Sequence, residues 1–266
     1  MNLDILDLEI IPQNNDVGGG KITRQEIDII KDFSDAKSLK ISGLNQETFE
    51  YLIGHYGQQF ERIYFFKNKL VSDLSMLKDL KKLKYVYYFF NQRVTKLWDM
   101  TNNENLQGLE LYDFSKLHSI EGIEKAPHLE HFSIGDEVWA NTKIESLRPL
   151  IHSAVTHFEW WGKSVLDGDF RCLSQSKIRE LDLNVGHFAM DELAKIVASI
   201  PNLQGAATRP YREGSITENG IKTTYYYLCK GKRTLTQGKD DAKFQQYVEE
   251  FNKLVKEYAE RNFSGK

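Results

Sequence analysis

Cysteine is nearly missing from this chain: Cys172 and Cys229, far apart, are the two present. A secreted disulfide framework needs more, so the expected setting is a reducing, cytoplasmic one. There is no excess of positive charge. Lys and Arg total 35 against 38 Asp and Glu, a net charge of -3. That excludes a globally basic nucleic-acid binder, and no nucleic-acid partner is expected. No apolar run approaches the roughly 18 to 20 residues of a membrane span. The opening MNLDILDLEIIPQ lacks a cationic segment, and acids interrupt its apolar residues, so it does not read as a signal peptide. No membrane partner is expected either.

Motifs of catalysis are equally scarce. Neither cysteine sits in a CxxC, and there is no Gly-x-Ser-x-Gly elbow and no Walker loop. Gly18-Gly19-Gly20 is followed by no Gly-Lys-Ser/Thr and reads as a joint. Asp167-Gly168-Asp169 lacks the remaining ligands of a calcium loop and reads as a turn. The chain is expected to be no enzyme and to carry no cofactor and no metal.

What the sequence does have is a repeat. The pattern apolar-x-x-apolar-x-apolar occurs as Ala36-Leu39-Ile41, Phe60-Ile63-Phe65, Leu83-Val86-Tyr88 and Leu106-Leu109-Leu111. It continues as Leu129-Phe132-Ile134, Val155-Phe158-Trp160 and Ile178-Leu181-Leu183, with a decayed copy from Leu203. Successive starts are separated by 24, 23, 23, 23, 26, 23 and 25 residues. Such regularity marks a repeat architecture. After each strand motif come apolar residues at every third position, as at Leu74, Leu77 and Leu80, or Leu117, Ile120, Ile123 and Ala126. Later units give Ile144, Leu147, Leu150 and Leu193, Ile196, Ile200. A three-residue period suits a 3₁₀ or short helical segment with one buried face. A unit of strand, turn and short helix cannot bury both elements alone, so neighbours must stack.

Over residues 36 to about 205 this pattern resembles the leucine-rich-repeat superfamily, nearest to the short bacterial repeats of internalins. The resemblance implies an α/β fold: a right-handed solenoid with a parallel concave sheet and short helices on the convex side. It also implies a buried asparagine three residues after the last strand apolar, tying adjacent turns by hydrogen bonds. Asn68 and Asn91 match; Phe114, Glu137, Lys163 and Gly186 stand at the later equivalents, which makes those repeats irregular.

Caps flank the repeats. Thr23-Arg24-Gln25-Glu26 fits a capping box ahead of Ile27, Ile29, Ile30 and Phe33. Asn219-Gly220 signals a type I′ hairpin, followed by the β-prone run Thr223 to Cys229 and a turn at Lys230-Gly231-Lys232. A helix from about Asp240 carries Phe244, Tyr247, Val248, Phe251, Leu254, Val255 and Tyr258 on one face, suited to docking on the last repeat. The expected division is residues 1–35 as N-terminal helical cap, 36–205 as about seven repeats, and 206–266 as C-terminal hairpin-and-helix cap.

Within each repeat strand the residues between the apolar anchors should face solvent. In parallel register they form columns: Ser38, Arg62, Tyr85, Gly108, His131, His157, Glu180; then Lys40, Tyr64, Tyr87, Glu110, Ser133, Glu159, Asp182; then Ser42, Phe66, Phe89, Tyr112, Gly135, Trp161, Asn184. Phe90 lies just beyond. An outward cluster of aromatics is typical of a protein-binding hot spot. Cross-strand packing and burial under the C-terminal cap are the structural alternatives. Acids dominate from the middle onward: Glu110, Asp113, Asp136, Glu159, Glu180 and Asp182. That suits a partner with a basic surface. The candidate partner-binding residues are Tyr64, Phe66, Tyr85, Tyr87, Phe89, Glu110, Tyr112, Glu159, Trp161 and Asp182. His131, His157 and Glu159 could hold zinc, but no short His-to-His spacing pre-sets that geometry. The function expected is protein binding on the concave face, as in adaptors, effectors or toxin-neutralising immunity proteins; the alternative is a carbohydrate- or peptide-binding module using the same aromatics.

Overall fold

The computed structural model describes residues 6–12, 20–139 and 141–264. Gly18 and Gly19 of the expected joint lie outside them. In chain order the elements begin β1 (Leu8–Ile10), α1 (Arg24–Ile27), β2 (Ser38–Ser42), α2 (Gln46–Tyr56), β3 (Arg62–Phe66), β4 (Tyr85–Asn91) and β5 (Gly108–Phe114). There follow β6 (His131–Gly135), β7 (Lys143–Ile144), β8 (His157–Trp161), β9 (Ser164–Val165), β10 (Glu180–Leu183) and α3 (Met190–Ser199). Last come β11 (Tyr211–Glu218), β12 (Ile221–Leu228), β13 (Leu235–Thr236) and α4 (Asp241–Ser264). The chain divides into two compact units: Met1–Thr156 with Trp161–Asp169, and His157–Trp160 with Phe170–Lys266.

In the first unit β1 to β6 lie side by side in sequence order, every pair parallel. The register aligns Leu8, Leu39, Ile63, Val86, Leu109 and Phe132 in one row. All are buried, as is the next row of Ile10, Ile41, Phe65, Tyr88, Leu111 and Ile134. Burying a leucine or phenylalanine stabilises by about 1.5–3 kcal/mol, and here each row runs unbroken from strand to strand. Parallel strands in sequence order, returned by short helical segments except between β4 and β5, where turns alone make the return, are a leucine-rich-repeat architecture in the α/β class.

The return segments follow the apolar spacing. Leu74, Leu77 and Leu80 are buried around a 3₁₀ turn at Ser75–Asp79, and Leu150 within Arg148–His152. Gln46–Tyr56 is instead a full α-helix, capped by a reciprocal Asn45–Thr48 pair. The Thr23–Glu26 capping box forms as expected.

Strand β1 lies within the stretch 1–35 expected as a helical cap and extends the parallel sheet there instead. Its short alternation Leu8-Glu9-Ile10 is buried-exposed-buried. The Asp7 carboxylate fastens it, accepting hydrogen bonds from the Lys37 and Ser38 amides and the Ser38 hydroxyl. These bonds, led by that of the Lys37 amide, hold the Asp7 carboxyl below its ordinary pKa.

The expected asparagines do tie turns together. Asn68 donates to the Ile41 carbonyl and accepts from the Leu44 amide, both at 2.8 Å. Asn91 donates to the carbonyls of Asn68 and Val71 and accepts from the amides of Arg93 and Val94. One strand later Phe114 pairs in register with Asn91 and closes the ladder with a ring, T-shaped against Tyr88. Just before these three residues, Lys67, Phe90 and Asp113 each adopt a left-handed backbone, with φ of 54°, 65° and 56°.

In the second unit β8 and β10 pair in parallel, with Phe158 beside Leu181 in the buried row. β11 and β12 form the anticipated hairpin about Asn219-Gly220, with φ of 52° and 78° as a type I′ turn requires. Helix α4 packs along α3, and Phe244 stacks on Tyr226 of the hairpin at 3.7 Å. Phe244, Tyr247 and Phe251 are buried; Val248, Leu254, Val255 and Tyr258 are half-buried.

Candidate functional site

The parallel register that builds the core also builds the opposite face of the sheet in the first unit. Tyr64 stands beside Tyr87 and Tyr87 beside Glu110; Phe66 stands beside Phe89 and Phe89 beside Tyr112. Neighbouring parallel strands lie about 4.8 Å apart, which is ring-stacking distance. Accordingly Tyr64 meets Tyr87 at 4.4 Å, Phe66 stacks on Phe89 at 5.7 Å, and Tyr87 meets Tyr112 at 5.5 Å. Gly108 leaves room for the Tyr85 ring, because a Cβ there would lie 2.0 Å from it.

One expectation needs correcting here. Tyr87, Phe89 and Tyr112 are not solvent positions: they are 5, 6 and 7% exposed. The rings cover one another, and the segment after β6 covers them further. This segment is held by Asp113, whose carboxylate accepts from the amides of Glu137, Val138 and Trp139. It delivers Glu137 to the Tyr87 hydroxyl, which donates to it, and Trp139 to Phe90 at 4.6 Å. The result is a second, small aromatic core, with Tyr64, Phe66, Phe90 and Trp161 half-buried around it. The same burial raises the Tyr64 phenol to about 12 and pushes that of Tyr87 higher still. It also raises the Glu137 and Asp113 carboxyls.

The remaining candidates divide between the units. In the first, the Tyr85 hydroxyl donates to Glu110, and His131 stands 4.0 Å from that carboxylate. Lysines lie over the rings near β2 and β3: Lys40 at 5.2 Å from Phe66 and Lys67 at 4.9 Å. In the second, His157 has Glu159 at 3.5 Å, Asp182 at 3.4 Å and Glu180 at 3.6 Å. One imidazole nitrogen and a carboxylate oxygen each of Glu180 and Asp182 lie within 4.8 Å of one another, a set that could hold a cation.

Sequence reasoning passed over Trp139, and it left Glu137 as a failed asparagine. The signal was available: the repeat that begins at Leu129 is 26 residues long against the usual 23. Extra residues in one repeat map to a loop on one face, often the binding face. Beside that loop lies a pocket of about 290 Å³, lined by Phe90, Asp113, Asp136 and Trp139 among others.

Comparisons with known proteins add little. No family model matches the chain, and no curated protein does. Among solved structures it is similar to an internalin from Listeria monocytogenes, at 15% identity and a TM-score of 0.41. The match covers 66% of this chain and 62% of that one, so the chain spans less than two thirds of the internalin's length.

Proposed function

We propose that this protein is a non-enzymatic interaction module that binds another protein through the face of the sheet opposite its leucine core. The observation that carries this reading is the aromatic patch. Tyr64, Phe66, Phe90 and Trp161 remain half-exposed around the buried Tyr87, Phe89 and Tyr112, where repeat strands ordinarily present polar residues. A contiguous apolar patch edged by acids is what a water-excluding anchor with a charged rim requires. Tyr87, Phe89 and Tyr112 serve in this reading as rigid backing, and the half-exposed rings as anchors. Tyr85, Glu110, Glu159 and Asp182 supply polar and negative contacts to a partner with a basic surface. Adaptors, effectors and toxin-neutralising immunity proteins are the roles such a module would fill.

We also place the protein in the cytoplasm. The chain has 2 cysteines, too few for a disulfide framework, which suits a reducing compartment, and no described helix is long and apolar enough to cross a membrane.

The test begins with a pull-down from the native cell to identify a partner, followed by binding kinetics. Phe66→Ala should weaken binding by about 2 kcal/mol, mostly through faster dissociation. Glu159→Gln should instead slow association, with an effect that shrinks as salt is raised. If both variants keep the fold and bind with unchanged rates, this face is not the site. Binding that depends on Phe66 but ignores salt would favour a sugar or neutral peptide ligand instead.

A further inference from the structure

The pocket beside the aromatic patch has a composition of its own. Phe90 and Trp139 form one wall, their rings 4.6 Å apart and tilted by 31°. Trp139 is 44% exposed, unusual for tryptophan unless it has a partner to meet. Asp113 and Asp136 supply carboxylates, and the side-chain amides of Gln92 and Asn141 line the remainder. Glu137 follows directly in the chain.

Charge in this region is one-sided. Among the described residues, none of Asp113, Asp136 and Glu137 forms a salt bridge with a lysine or arginine. Their hydrogen bonds go elsewhere. Asp113 holds the amides of the loop, Asp136 accepts from the Thr142 amide and hydroxyl, and Glu137 accepts from Tyr87. Burial raises the Asp113 carboxyl, and the like charge of Asp136 adds to the rise. These carboxylates are thus held by hydrogen bonds, with no cationic side chain of the described residues against them.

We propose that this pocket receives an arginine side chain of the partner protein. A guanidinium is flat, stacks on aromatic faces and remains charged, and its several N–H donors can meet a carboxylate and amide carbonyls together. A lysine ammonium would gain the charge but neither the stacking nor the fork-shaped match. A purely apolar side chain would gain nothing from the two aspartates. The assignment rests on the protein-binding role proposed above and adds to it the chemistry of one contact.

The probe is the blocked peptide acetyl-Gly-Arg-Gly-amide, titrated into isotopically labelled protein and followed by NMR. Its neutral counterpart with citrulline and its lysine counterpart are the controls. The Trp139 indole N–H is assigned as the resonance missing from Trp139→Phe, one of 4 tryptophans in the chain. The arginine peptide should shift that indole and the amides of residues 137–141 saturably, whereas citrulline should not. Asp136→Asn, which keeps an acceptor for Thr142, should weaken binding by roughly tenfold, the loss expected for one charge-assisted contact. Glu180→Gln in the second unit should leave it unchanged. Trp139→Leu, at an exposed ring, should weaken binding as seen at the loop amides, and it guards against an Asp136 variant that disturbs the loop.

An absent or unsaturable shift, an equal shift with citrulline or lysine, or undiminished binding in both variants would overturn the assignment. The outcome is separable from the wider reading. If Phe66→Ala abolishes partner binding while the peptide gives no shift, only the pocket is wrong. If the peptide binds while partner binding ignores Phe66, only the aromatic face is wrong.

Discussion

Removing the side chain of Asn91 should strongly destabilise the repeat. Asn91 is 1% exposed, and its amide and carbonyl serve two neighbouring turns. In Asn91→Ala the Asn68 carbonyl keeps its bond from the Tyr88 hydroxyl at 2.7 Å, but the Val71 carbonyl and Val94 amide lose their asparagine partners. Each buried backbone group left unpaired costs about 1–3 kcal/mol. The expected loss is thus about 2–6 kcal/mol, a large part of the roughly 5–15 kcal/mol that holds a domain together. Urea unfolding followed by far-ultraviolet circular dichroism and tryptophan fluorescence measures it. The matched control is Asn105→Ala. That asparagine also donates to a carbonyl, of Lys81, but it is exposed and water can replace it. If Asn91→Ala costs less than about 1 kcal/mol, or no more than Asn105→Ala, the reasoning from buried unpaired groups fails.

Other expectations follow from the same structure. Leu109→Ala, in the middle of the buried row, should cost roughly 2–5 kcal/mol through a cavity, measured by the same unfolding curves. Glu137→Gln should be at least as stable as the parent at pH 7. Burial raises the folded pKa of Glu137 above its unfolded value, so its ionisation opposes folding. That opposition is absent below the unfolded pKa and develops as pH rises through the folded one, so the two proteins should converge at acid pH. Protein purified without chelator or affinity tag should contain no stoichiometric zinc by metal analysis; stoichiometric zinc lost in His157→Ala would overturn the binding-only reading. The contrasting rate effects of Phe66→Ala and Glu159→Gln complete the set.

The repeat was legible because its signal is periodic. Leu39, Ile63, Val86, Leu109 and Phe132 could be aligned by spacing alone, and parallel pairing turns equal spacing into a shared row. Asn68 and Asn91 were legible through the resemblance to leucine-rich repeats, which implies a buried asparagine at that place in the turn. The face opposite was legible only as a set of columns. Whether a ring in a column meets water depends on its lateral neighbours and on loops that cross it. The loop that carries Glu137 and Trp139 showed in the spacing only as a 26-residue repeat, which marks an insertion but not what it covers. Strand β1 escaped for a related reason: Leu8 and Ile10 are too few to show a period.

Phe90 bears on how such a face could change over generations. Its backbone, at φ 65°, is one that glycine adopts freely and that costs an ordinary L-residue roughly 1–2 kcal/mol. Replacement by glycine would therefore relieve local strain while giving up the ring contacts with Phe89 and Trp139. A bulky ring kept at such a place, against Phe89 and Trp139, gives up conformational ease for a surface. If the face binds a partner as proposed, related chains without that partner should relax at this position before the leucines of the core.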